Sequence, residues 1–173
     1  MNCFLELTSG LLTPLIAIIT TYVAIQQYNL NKKDSRLSIE FEEHNEKLER
    51  NKLKLELYNK RYRIFQLSKD MLYKNYTEKV TQIEIKNFKL STNESSFLFE
   101  SDITLYVEKI RQKAFALMHM RGKLEDEPFN YPPGSAKQRK LSEEKGDLED
   151  WFRFEYENVE MQFERYLSLK NLD

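Results

Sequence analysis

An uncharged segment near the N-terminus constrains the fold of this chain more than any other feature. No side chain from Leu7 to Asn31 carries a charge, and residues 11–25 are mostly aliphatic. At about 1.5 Å rise per residue, roughly 20 helical residues cross a hydrocarbon core of about 30 Å. The segment is therefore long enough for one membrane-spanning helix, which we predict over residues 11–31.

A buried core helix and a cleaved signal peptide are the alternatives to a span. A core helix in a chain with 32% charged residues usually keeps a polar stripe, whereas threonines supply most of the polar groups here. A signal peptide normally opens with a basic region and ends at a small-residue cleavage site. Residues 1–10 contain Glu6 and no Lys or Arg, so we favour the uncleaved span.

The basic residues that follow the span predict its orientation. Lys32, Lys33 and Arg36 come directly after the uncharged segment. Basic residues accumulate on the cytoplasmic side of single spans. We therefore expect residues 1–10 to lie outside the cytoplasm and the long C-terminal part to lie within it.

A stripe of small residues runs along the predicted span at helical spacing. Small side chains let helix backbones approach closely in lipid, which favours self-association. Ala and Thr are also simply tolerated in a span, and the sequence leaves both interpretations open. The stripe consists of Thr13, Ala17, Thr20, Thr21 and Ala24.

The next segment has the pattern of a coiled coil. No Pro or Gly occurs between Asn31 and Tyr76, and seam residues alternate at spacings of four and three, which is the heptad signature. Two polar residues interrupt the seam and would fix register at some cost in stability. We predict a coiled-coil stalk over 32–52 and a homo-oligomer. The seam consists of Leu37, Phe41, His44, Leu48, Asn51 and Leu55.

Charge along this helix is segregated into an acidic block at 40–49 and a basic block at 50–63. The two blocks could pair with an antiparallel neighbour, but we favour a solvated surface with i,i+4 pairs such as Glu46 with Arg50. Binding of nucleic acid through the basic half is a weaker option. The net charge of -1 argues against it, because the chain has no long-range field to attract phosphate.

After Arg50 the apolar stripe becomes too wide for a two-stranded seam, which predicts a globular bundle over 53–173. A short helix at about 78–89 should direct Val80, Ile83 and Phe88 to the core, and Phe97-Leu98-Phe99 should form a buried plug. A clean helical period follows and should end at Gly122. It consists of Ile103, Val107, Ile110, Ala114 and Leu117.

Most of the helix-breaking residues fall at 123–146, so we predict a surface loop at about 122–146. A last helix should begin at Ser142 or Asp147 and end near Leu169. Most of the large side chains on one of its faces should be core. That face consists of Leu148, Trp151, Phe152, Glu155, Val159, Phe163, Tyr166 and Leu167. The whole chain should be all-α, with three or four antiparallel helices in the bundle.

Residues suited to catalysis or metal binding are scarce. His44 lies in the seam, and His119 lies near a helix end without a surrounding motif. The only cysteine is Cys3, and no phosphate loop, nucleophile elbow or zinc-binding motif occurs. We therefore expect no catalytic residue, no cofactor and no metal, and predict a protein that is not an enzyme.

The order of these features resembles a loosely defined family of short bacterial membrane proteins with one N-terminal span and a cytoplasmic helical domain. The resemblance covers residues 11–169 and implies a bacterial inner-membrane setting without implying an activity. Its motifs here are Leu55-x-Leu57-Tyr58-x-Lys60-Arg61-Tyr62-x-Ile64-Phe65, Phe97-Leu98-Phe99, Ile103-x-x-Tyr106-Val107-x-x-Ile110, Trp151-Phe152 and Phe163-x-x-Tyr166-Leu167.

Two functions fit this architecture. The first is a membrane-tethered interaction or scaffold protein, whose stalk self-associates and whose bundle binds a cytoplasmic protein. We expect the partner surface at Lys137, Arg139, Lys140 and Trp151. The second is a small phage-defence or toxin-like effector whose assembled spans perturb the lipid bilayer.

Overall fold

The computed structural model describes residues 2–126 and 130–168, with side chains described from Ile16 onward except that of Asp126. This part of the chain is helical and contains no strand, as the low content of Gly and Pro predicts. The helices are α1 (Asn2–Thr77), α2 (Gln82–Ser91), the one-turn α3 (Ser95–Leu98), α4 (Ser101–Asp126) and α5 (Ala136–Leu167).

The chain divides into two compact units, Met1–Lys52 and Leu53–Asp173. The first unit is formed by α1 alone, and every described side chain from Ile16 to Lys52 is exposed. No helix in the described part of the chain is both long enough and apolar enough to cross a membrane. Residues 11–15 of the predicted span lie outside the residues whose side chains are described, so the span stays a prediction.

The second unit is a helical bundle, which confirms the predicted fold class for this part of the chain. The predicted period of α4 is its buried face, because all five residues from Ile103 to Leu117 that define it are at most 4% exposed. The same core cluster contains Leu72 of α1 and three fully buried residues of α5, which are Phe152, Val159 and Phe163. Burial of one such side chain stabilises a fold by about 1.5–3 kcal/mol.

Aromatic rings meet around Phe163 at the centre of this core. Its ring centroid lies 5.5 Å from that of Phe65, 5.6 Å from that of Phe99 and 6.2 Å from that of Tyr106, each in an edge-to-face arrangement. Edge-to-face pairs add about 0.5–1.5 kcal/mol beyond area burial. The aromatic residues around Phe163 therefore help to fill the core, whereas others, such as Phe154, are exposed.

Helix α2 begins later than predicted, and this changes which side chains it buries. Thr81 is its N-cap, so Gln82 is the first helical residue. The buried apolar pair is consequently Ile85 and Phe88, at an i,i+3 spacing. Ile83, predicted in the core, is 71% exposed.

The predicted plug at Phe97-Leu98-Phe99 is only half correct, since Phe99 is buried and Phe97 is 88% exposed.

The loop predicted at about 122–146 is much shorter in the structure. Helix α4 continues past Gly122 to Asp126, and α5 begins at Ala136 and contains Gly146. Ser135 is the N-cap of α5 and accepts a hydrogen bond from the backbone N–H of Gln138 at 3.2 Å. A glycine inside a helix costs about 1 kcal/mol relative to alanine, which packing of the same helix can offset.

Arg121, the residue before Gly122, links α4 to the end of α1 and to α5. Its Nη2 donates to the carbonyl oxygen of Asn75 at 3.0 Å and to Oε1 of Glu149 at 2.8 Å, and its Nη1 donates to the carbonyl oxygen of Glu78. Carbonyls at a helix C-terminus lack partners within the helix. Arg121 supplies partners where α1 ends and ties that end to α4 and α5.

The start of α2 provides a pH-dependent contribution to stability. The Glu84 carboxylate accepts hydrogen bonds from the Thr81 backbone N–H at 2.9 Å and from Lys74 Nζ at 3.0 Å. These bonds, the backbone bond first, lower the pKa of Glu84 to about 2. Because the folded pKa lies below the ordinary value of about 4.3, the contribution is complete above that value and is lost as the pH falls toward 2.

We therefore expect Glu84→Ala to lower the free energy of unfolding at pH 7 by about 0.5–1 kcal/mol, which is the usual worth of a cap. The difference between parental and variant chains should shrink between pH 5 and pH 2. Urea unfolding at several pH values measures it. Glu94→Ala is the matched control, since Glu94 precedes α3 without a side-chain capping bond. A difference that stays constant with pH would contradict this assignment.

Candidate interaction surfaces

The predicted stalk seam lies on an uncovered face of α1. Leu37 is 53% exposed, Phe41 65% and Leu48 52%, and the intervening His44 and Asn51 are also exposed. The remaining seam residue, Leu55, belongs to the second unit and is 57% exposed. Exposed apolar side chains at heptad spacing form a face that a second helix can cover.

The small-residue stripe is only partly described. Thr13 lies outside the described side chains, whereas Ala17 and Ala24 are exposed. The hydroxyl of Thr20 donates to the carbonyl oxygen of Ile16 at 2.9 Å, and that of Thr21 to the carbonyl oxygen of Ala17 at 2.8 Å. Both hydroxyls are therefore satisfied within α1 and need no hydrogen-bond partner from another helix.

The residues of the predicted partner surface all lie on α5 but in two separate places. Lys137, Arg139 and Lys140 are exposed in the first two turns of α5, where Lys137 and Lys140 border a groove of about 460 Å³. Trp151 lies on the same helix, roughly 16–21 Å further along by the rise per residue. The structure thus separates the basic cluster from the tryptophan.

Trp151 is also less available than the sequence suggests. It is half-buried, and its ring packs edge-to-face against the buried Phe152. Two ammonium groups of α4 lie over the ring, with Lys113 Nζ 4.8 Å and Lys109 Nζ 5.3 Å from its centroid. Cation–π contacts of this kind contribute about 0.5–1 kcal/mol each at exposed sites. Trp151 therefore mainly joins α5 to α4.

Two other grooves of the bundle were not apparent from the sequence. The first, which we name the basic groove, lies between α2 and α4 and measures about 430 Å³. No described carboxylate lines it. Its principal lining residues are Ile83, Ile85, Lys86, Lys89, Arg111 and Phe115.

The second, which we name the acidic groove, lies between α1 and α5 and measures about 650 Å³. The groove also includes Lys69, whose Nζ lies 2.7 Å from Glu160 Oε1, and this contact raises the pKa of Lys69. Its principal lining residues are Tyr62, Phe65, Glu160, Met161, Glu164 and Leu167. One exposed apolar side chain marks each groove, Ile83 at the basic groove and Met161 at the acidic groove.

The positions of the titratable groups among the described residues bear on metal binding. No group of three or more His, Cys, Asp or Glu residues in the described part of the chain could hold a metal ion. The rings of His119 and Phe115 pack edge-to-face with their centroids 4.6 Å apart. His44 is exposed on the stalk. The prediction of a protein without catalysis stays a prediction.

One buried polar pair lies between α4 and α5. Glu155 is 9% exposed, and the Tyr106 hydroxyl is buried without a hydrogen bond to any described residue. Burial, together with the Glu155 carboxylate, raises the pKa of Tyr106. Both effects favour the protonated phenol.

Comparison with known proteins gives no assignment for this arrangement. No family model, curated protein or solved structure matches the chain. The resemblance to short bacterial membrane proteins thus stays a prediction, and the surfaces themselves must carry any functional argument.

Proposed function

We propose that this chain is a membrane-anchored interaction protein that works without catalysis, self-associates through its stalk and binds a cytoplasmic protein with its bundle. The observation that carries the proposal is the exposed seam. Leu37, Phe41 and Leu48 recur at heptad-compatible spacing and are each more than half exposed. A second copy of the same helix would cover them by knobs-into-holes packing.

Two features support anchoring through residues 11–31. The segment is uncharged and is followed by Lys32, Lys33 and Arg36, which favours an outward N-terminus and a cytoplasmic bundle. The hydroxyls of Thr20 and Thr21 donate to carbonyl oxygens of the same helix, so these two groups would not meet lipid unsatisfied. The proposed location is the bacterial inner membrane.

Fractionation and a reporter fusion test the anchor. We expect the full-length chain to stay with membranes after an alkaline carbonate wash, and a C-terminal reporter that works only in the periplasm to be inactive. Release by the wash or strong reporter activity would contradict the proposed topology. Replacing residues 11–31 with an unrelated span should leave stalk self-association intact. The effector function would be favoured instead if expression of the parental chain collapses the membrane potential and expression of the chain with the replaced span does not.

A further inference from the structure

We infer that the bundles of neighbouring copies pack head to tail, with the basic groove of one copy against the acidic groove of the next. This contact uses only the second unit and is separate from the stalk seam. It therefore adds an interface to the proposed function, and either interface could exist without the other.

The charges of the two grooves are complementary. Lys86, Lys89 and Arg111 line the basic groove, although Arg111 is held by Glu108 on its own helix. In the acidic groove Glu160 is paired with the ammonium of Lys69 at 2.7 Å, so Glu164 gives the groove its net negative charge. Opposite potentials steer two faces together and disfavour contacts between like faces. A basic groove facing a basic groove, or an acidic one facing an acidic one, is disfavoured for the same reason.

The apolar residues of the two grooves are also complementary. Ile83, on the basic groove, is 71% exposed, and Met161, on the acidic groove, is 65% exposed. Each groove also contains apolar or aromatic lining, with Ile85 and Phe115 in the first and Tyr62 and Leu167 in the second. Each projecting side chain can thus enter the groove of the other copy, and well-packed apolar anchors of this kind supply most of the binding energy at interfaces.

The occupant is a second copy, because the chain itself carries both halves of the contact. A contact between two different faces is heterologous, so it repeats from copy to copy and builds rings or open arrays rather than closing on a dimer. The stalk seam would then link copies in pairs, while the grooves link them in series. The array would concentrate many bundles on one membrane surface.

Charge reversal tests the inference on the full-length chain in mild detergent. One variant carries Lys86→Glu and Lys89→Glu, and the other carries Glu160→Lys and Glu164→Lys. Each variant alone should show at least about a tenfold lower apparent association constant for assemblies larger than the stalk-linked state. An equal mixture should regain assembly, because the first variant then has two negative grooves and the second has two positive grooves, so the two chains can alternate. Circular dichroism establishes that both variants are folded.

Disulfide trapping identifies the faces that meet. In a Cys3→Ser background, a chain with Ile83→Cys mixed with a chain with Met161→Cys should cross-link between the two chains, and neither chain should cross-link efficiently with itself. Variants that assemble like the parental chain, or folded variants whose mixture stays unassembled, would overturn the inference. If Leu48→Asp still reduces association in that case, the stalk interface of the proposed function stands without the groove contact. Loss of association in Leu48→Asp alone, with both groove variants unaffected, would overturn the groove contact.

Discussion

Leu48→Asp should raise the dissociation constant for self-association of the full-length chain by at least about 100-fold. Leu48 occupies a seam position and is 52% exposed in the single chain. Each copy would lose about 1.5–3 kcal/mol of apolar burial, and every tenfold change in affinity corresponds to about 1.4 kcal/mol. The introduced carboxylates would also face each other in or near the seam. Sedimentation velocity over a range of concentrations measures the effect.

Ile39→Asp is the matched control for this substitution. Ile39 lies on the same unit and is 56% exposed, but it is two residues from both Leu37 and Phe41 and therefore on the opposite face of the helix. It should leave association unchanged. Equal losses in both variants would show that exposed apolar surface in general, and not the seam, drives association.

The polar seam positions predict a change in the other direction. His44→Leu with Asn51→Leu should strengthen association, because polar seam residues lower stability while fixing register. An unchanged or weaker association in this double variant would argue that His44 and Asn51 do not face a partner. This companion measurement uses the same sedimentation experiment.

Arg121→Met should lower the free energy of unfolding of the bundle by about 3 kcal/mol, within the range expected when one partner of a largely buried charge network is removed. The Arg121 side chain is 12% exposed, and Glu149, its ion-pair partner at 2.8 Å, is 31% exposed. The variant would leave the carbonyls of Asn75 and Glu78 without this donor. Lys145 Nζ, 3.4 Å from Glu149 Oε1, would compensate only in part.

Two further variants distinguish the contribution of the hydrogen bonds of Arg121 to stability from the contribution of its charge. Arg121→Lys keeps the charge but cannot reach three acceptors, so it should lose an intermediate amount of stability. Arg153→Met removes an exposed arginine that pairs with Asp150 at 2.9 Å, and it should change stability by less than about 1 kcal/mol. Denaturant unfolding followed by circular dichroism measures all three. Similar losses for Arg121→Met and Arg153→Met would contradict a special role for Arg121.

Regular apolar periodicity carried most of what could be predicted about the bundle. The pattern of α4 from Ile103 to Leu117 defines its buried face, and the same is true of Phe152, Val159 and Phe163 on α5. Such patterns are reliable because a helix must direct one face to the core whatever its neighbours are. They require no knowledge of which helix packs against which.

The late start of α2 is set locally by its N-cap Thr81, whereas other features depend on contacts distant in sequence. Gly122 and Gly146 are weak helix residues, yet α4 and α5 continue through them. Arg121 binds carbonyls 43 and 46 residues away, and no local pattern reveals those bonds. The basic and acidic grooves are likewise formed by pairs of helices, so their residues come together only in the folded bundle. The lysines that lie over Trp151 belong to another helix, so the sequence alone does not reveal those contacts.

The central claim is that the stalk links copies of this chain through its seam. The most direct test is the molar mass of the full-length chain in detergent, measured by light scattering across a range of concentrations with the detergent contribution subtracted. We predict the mass of two or more chains at micromolar concentration, and a shift toward the single-chain mass for Leu48→Asp but not for Ile39→Asp. A single-chain mass for the parental protein at every concentration would contradict the claim.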